Sequence, residues 1–118
     1  MRHIVENSNN ELLRGIALVI QGHAFGTGAS LWGDIPFSEA GNSEIEDPIF
    51  DSQISVYSSA IALLDQGITT LSAASSEPID EDIYFKGDKN KWIAAAYTLK
   101  ARFYLHQKDY FNALSAAQ

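Results

Sequence analysis

The chain has 118 residues, enough for one domain with one modest core. Its 15 acidic residues outnumber 8 basic ones, giving a net charge of −7 with no Lys/Arg cluster to offset it, so nucleic acid and anionic lipid surfaces are repelled. There is no cysteine, which excludes disulfides, thiolate metal sites and cysteine nucleophiles.

The longest strongly apolar run, Ile16–Ile20, falls far short of the roughly 20 residues that span a bilayer. The opening Met1-Arg2-His3-Ile4-Val5-Glu6 has no apolar core of signal-peptide length, so the chain reads as soluble and without an export signal. A first helix is predicted over about Asn10 to Leu31. Leu12, Leu13, Ile16, Val19, Ile20, Ala24 and Phe25 stand at helical spacing there. Gly15, Gly22, Gly26 and Gly28 interrupt it, each at a cost of roughly 1 kcal/mol relative to alanine. Such a set means close approach by a neighbouring backbone or a break near Gly26–Gly28. Gly33 and Pro36 stop the helix, and a polar connection runs on to Asp47-Pro48.

The second helix has the cleanest pattern. Phe50, Ile54, Tyr57, Ile61, Leu64, Ile68 and Leu71 alternate by four and three residues, which makes one apolar stripe for a sister helix. Ser52, Ser55, Ser58, Ser59, Gln66 and Thr69 fall between, and Asp51 is the expected N-cap. A loop from Ser75 to Lys89 holds Pro78, the acids Asp80, Glu81 and Asp82, and then Ile83-Tyr84-Phe85. In the third helix, about Asn90 to His106, Trp92, Ala96, Leu99, Phe103 and His106 repeat the four-three spacing, widened by Ile93, Tyr97 and Tyr104. A break at Gln107-Lys108 leads to a last helix, Tyr110 to Gln118. The expected fold is all-α, about four helices in a single domain over residues 1–118.

The last two helices resemble a tetratricopeptide hairpin. Tyr97, Ala101, Tyr104 and Ala113 fill its aromatic and small positions, while Lys100 and Lys108 replace its usual leucine and turn glycine. A weaker copy is expected at Gly26, Gly33-Asp34 and Ala40. The segment Leu31-Trp32-Gly33-Asp34-Ile35-Pro36-Phe37-Ser38-Glu39-Ala40 resembles the corresponding turn of SusD/RagB-like proteins. Asp47-Pro48-Ile49-Phe50-Asp51-Ser52-Gln53, and then Asp82-Ile83-Tyr84-Phe85-Lys86-Gly87-Asp88 with Lys91-Trp92 and Leu99-Lys100-Ala101-Arg102, resemble that family's next signatures, in family order.

The resemblance implies a part of the helical scaffold of a longer, lipid-anchored protein at the outer-membrane surface. Such proteins bind oligosaccharides, in some cases peptides, and sit as a lid on a TonB-dependent, SusC-like transporter. The lipid-bearing cysteine is missing from this chain.

The residues themselves offer no catalytic constellation. His3, His23 and His106 stand in no metal or nucleophile motif, and no serine has a nucleophile-elbow context. Asp80 with Asp82 has the residue types of a carboxylate pair or a calcium site, although three acids in a loop are more often a solvated turn. No catalytic residue, metal or cofactor is therefore expected. If the chain contacts a ligand, Trp32 and Tyr84 are the expected platforms, with Asp34 and Ser38 accepting hydroxyl hydrogen bonds. The structural alternative is that Trp32 closes the first helix and Phe37 packs into the repeat, while Trp92, Tyr97 and Phe103 are core. The competing function is a helical-repeat adaptor for a protein or peptide, which needs more repeats than this chain has.

Overall fold

A computed structural model describes residues 10–74, 82 and 84–118. Four helices follow in order: α1 Glu11–Trp32, α2 Gln53–Ala73, α3 Lys89–His106 and α4 Tyr110–Ala117. Each begins on a polar cap. Asn10, Ser52, Asp88 and Asp109 accept from first-turn N–H groups that have no partner within the helix. Ser52, not the expected Asp51, caps α2, because the Asp51 carboxylate is engaged by the preceding turn. Gly33 ends α1 in the left-handed region, φ +76°, and its N–H donates to Ala29 O at 3.0 Å.

α1 runs unbroken through Gly26 and Gly28, so its glycines are places of close approach. A Cβ at Gly15 would lie 2.5 Å from Leu71 Cγ, and one at Gly22 2.9 Å from Leu64 Cγ. One at Gly26 would strike the Phe103 ring. These contacts also give the topology. Gly15 faces Leu71 and Gly22 faces Leu64, so α2 runs antiparallel to α1. Gly26 meets Phe103 and Ser30 meets His106, so α3 runs in the same direction as α1. Leu12, Leu18, Val19, Val56, Leu64, Leu71 and Phe103 are almost wholly buried in the space the helices enclose.

The fold is all-α, as its periodicity predicts. Among the described residues the extended pairing is one antiparallel bridge, Ile35 with Asp51. The apolar stripe of α2 is shorter than its spacing implies. Phe50 precedes the helix and Ile54 sits in its first turn, level with the end of α1, and both are 72% exposed. The third helix also departs from expectation at Tyr97, which is 42% exposed. Tyr97 borders an open groove of about 660 Å³ between α3 and α4, with half-buried Ala101 beside it and Ser115 and Ala116 opposite.

The α3–α4 hairpin closes as the repeat pattern predicts. Asp109 N–H donates to Tyr104 O at 2.9 Å, and Lys108 occupies the left-handed region, φ +62°, where the repeat has glycine. The weaker copy does not form. Ala40 lies in a turn, its N–H on Phe37 O, rather than early in a second helix.

Candidate functional site

Two surfaces carry the residues singled out by sequence. The first is the connection between α1 and α2. Its backbone is held by carboxylates. Asp51 Oδ2 accepts the N–H groups of Phe37 and Ser38, both at 2.8 Å, and Ser38 Oγ donates to Oδ1 at 3.0 Å. The Ser38 N–H first, then that of Phe37, holds the Asp51 carboxyl below the usual carboxylate range. Glu39 Oε2 accepts Ile49 N–H at 2.9 Å. Asp34 Oδ1 accepts Gln53 N–H at 2.8 Å, and the Gln53 amide donates to Ala29 O at 2.8 Å. Asp34 and Ser38 thus work within the turn.

Trp32 stands on this braced end, 74% exposed, with one ring edge over Gly28. It does not bury itself to close the helix. Phe37 does pack inward, meeting Phe25 edge to face with centroids 4.6 Å apart.

The second surface surrounds Asp82; Asp80, Glu81 and Ile83 lie outside the described residues. Asp82 Oδ1 accepts the N–H groups of Tyr84 and Phe85, and Oδ2 accepts Gly87 N–H and the Trp92 indole N–H at 2.7 Å. Burial pushes the Asp82 carboxyl up. The hydrogen bonds from Gly87, Trp92, Phe85 and Tyr84 together outweigh it and leave the carboxyl below its ordinary value. The Tyr84 and Phe85 rings both meet Trp92 edge-on, at 6.1 and 5.1 Å. Tyr84 remains 70% exposed.

Beside these rings a groove of about 480 Å³ opens between α1 and α3, lined also by Val19, Ile20, His23, Thr98 and Leu99. Sequence reasoning found Tyr84 but not this groove. Its sequence traces are the placement of Val19 and His23 four residues apart on one face of α1, and of Ala95 and Leu99 four residues apart on α3. Trp32 lies nine residues beyond His23 on α1, roughly 14 Å along the axis, so the two exposed rings form separate surfaces.

Ser30 and His106 have the residue types of a nucleophile and its base, with Oγ 2.9 Å from Nδ1. Ser30 Oγ also reaches Gly26 O at 2.9 Å and Tyr57 OH at 2.8 Å. This hydroxyl fastens α1 to α2 and α3 within their interface. Among the described residues no three His, Asp or Glu side chains converge to hold a metal ion, and no helix is long and apolar enough to cross a membrane.

Residues 1–117 match the family model for SusD-like proteins, described as starch-binding and associating with the outer membrane. The chain belongs to this SusD-like family. Solved structures agree. A SusD/RagB family protein from Bacteroides thetaiotaomicron is 27% identical with a TM-score of 0.83, the match covering 98% of this chain and 27% of that one. A SusD homolog from Bacteroides uniformis is 26% identical with a TM-score of 0.80, covering 98% and 25%. A chitin-binding SusD homolog from Flavobacterium johnsoniae shares the fold, with a TM-score of 0.78 at 21% identity, covering 94% and 24%. The SusD-like chain thus spans about a quarter of the length of these structures. No curated protein matches it in sequence.

Proposed function

We propose that this chain is the helical scaffold of a non-catalytic, oligosaccharide-binding protein at the bacterial cell surface, which delivers its ligand to a TonB-dependent, SusC-like outer-membrane transporter. The observation that carries the reading is the SusD-like match across residues 1–117, a family described as starch-binding and outer-membrane-associated. The exposed rings of Trp32 and Tyr84 supply flat apolar surface to pyranose faces. Asp34 accepts Gln53 N–H through Oδ1, and its Oδ2 is assigned to a ligand hydroxyl. The charge of −7 favours neutral over acidic ligands.

Titration with a panel of neutral oligosaccharides, followed by tryptophan fluorescence, tests these contacts. Trp32→Ala and Tyr84→Ala are each expected to weaken binding, and together to remove it. Undiminished binding by the double variant would refute the assignment, and binding of peptides alone would replace the ligand class.

A further inference from the structure

Ser30 stands in the last turn of α1, half-buried, where α2 and α3 both reach it. Its Oγ lies 2.9 Å from Gly26 O, 2.8 Å from Tyr57 OH and 2.9 Å from His106 Nδ1. Each contact is of hydrogen-bond length, and two electronegative atoms hold that distance only with a proton between them. Three contacts therefore need three protons.

The groups themselves decide where each proton comes from. Gly26 O is a carbonyl and has none to give, so the one hydroxyl proton of Ser30 goes to it. Ser30 Oγ then has two lone pairs left, and both remaining neighbours must donate into them. Tyr57, which is buried, gives its phenol proton. His106 must give one from Nδ1, which leaves Nε2, on the opposite side of the ring, unprotonated in the neutral imidazole. The apparent nucleophile and base thus run in reverse: the serine oxygen accepts and the histidine donates. Two donors feeding an oxygen that itself donates polarise one another, which strengthens the set.

His106 is also the last residue of α3, and the turn to α4 follows it directly. The opposite end of α3 is held separately, by Lys89 Nζ donating to Ala74 O at 2.6 Å and by the Trp92 indole on Asp82. We propose that Ser30, Tyr57 and His106 form a clasp, set by the His106 tautomer, that keeps the α3–α4 turn closed on α1 and α2. With the proton on Nδ1 the clasp is shut. With it on Nε2 alone, lone pairs face each other across 2.9 Å. The last turn of α3 is then let go while its first turn stays pinned. Nothing in the clasp depends on which ligand the chain binds.

Nitrogen-15 nuclear magnetic resonance of the 118-residue chain reads the tautomer. It is recorded at about pH 8.5, well above the ordinary histidine value, so that the imidazole is neutral. His106 is expected to show the Nδ1–H pattern, and Ser30→Ala to return it to the Nε2–H form that a free side chain prefers. Hydrogen exchange reads the clasp itself. Ser30→Ala and His106→Ala should each speed exchange of the Gln107, Lys108 and Asp109 amides, which close the turn, with the Trp92 amide unchanged. The increase should be roughly fivefold, the effect of one lost hydrogen bond. An Nε2–H pattern in the unsubstituted chain would overturn the clasp, as would an Nδ1–H pattern that survives Ser30→Ala. Exchange at the turn that neither variant alters, or that rises equally at Trp92, would also overturn it.

Discussion

At Asp82 a single carboxylate accepts four hydrogen bonds, and its removal from the charged state has a calculable sign. Its pKa is depressed in the folded chain, so it stabilises the fold above its unfolded value, about pH 4, and that contribution is lost as pH falls through the folded value. Denaturation midpoints should therefore drop below about pH 4, and Asp82→Asn should flatten that drop while lowering stability at pH 7. A wild-type and an Asp82→Asn acid profile of the same steepness would remove Asp82 as the cause. From sequence this residue is one of three acids in a loop, the usual look of a solvated turn. What the sequence does not display is the indole of Trp92, ten residues on, returning to Oδ2. Asp51 hides in the same way. Beside a helix start it reads as a cap, yet its oxygens serve Phe37 and Ser38, more than ten residues back. Long-range polar partners leave no periodic trace, and the site depends on them.

Among the elements, α1 shows what spacing reveals and what it leaves open. Its apolar positions are legible as a helix, whereas its four glycines allow both a break and a close contact. The contact is Gly26 against Phe103, a pairing set by α3 and invisible locally. Gly26→Ala would gain roughly 1 kcal/mol in helix propensity and lose about 1–3 kcal/mol to overpacking against a buried ring, for a net loss. The same logic reverses for Ala101, the small position of the repeat pattern. Ala101 is half-buried beside a groove of about 660 Å³, so Ala101→Phe has room to extend into it and should change stability little. Urea denaturation of both variants decides the point. A larger loss for Ala101→Phe than for Gly26→Ala would show that α4, not α3, sets the tight contact. The end of the α2 stripe is a further limit of periodicity. Phe50 and Ile54 keep the spacing but lie where α1 stops, and an apolar period cannot report the length of its partner.

Across the whole molecule, the family and the all-α class were legible because ordered motifs and two four-three stripes survive in sequence. The apolar groove was not, because its walls come from α1, α3 and the turn that Asp82 holds. One side chain joins these scales. Phe103 on α3 is fully buried, packs against the glycine face of α1 at Gly26, and sits 6.1 Å from the Tyr57 ring of α2. Three helices therefore share it. Phe103→Ala would remove the ring and leave a cavity beside Gly26, where no Cβ can move in to fill it. Such substitutions cost about 3–5 kcal/mol, and a domain of this size has on the order of 5–15 kcal/mol in all. The Ser30 hydroxyl contacts to Tyr57 and His106 lie on the same three helices and should loosen with it. The expected outcome is a large fall in the denaturation midpoint, with weaker amide protection along α3 than along the α1–α2 hairpin, whose contacts at Gly15 and Gly22 do not involve Phe103. Equal loss of protection in all three helices would mean that the hairpin cannot stand without α3, and that the three fold as one unit.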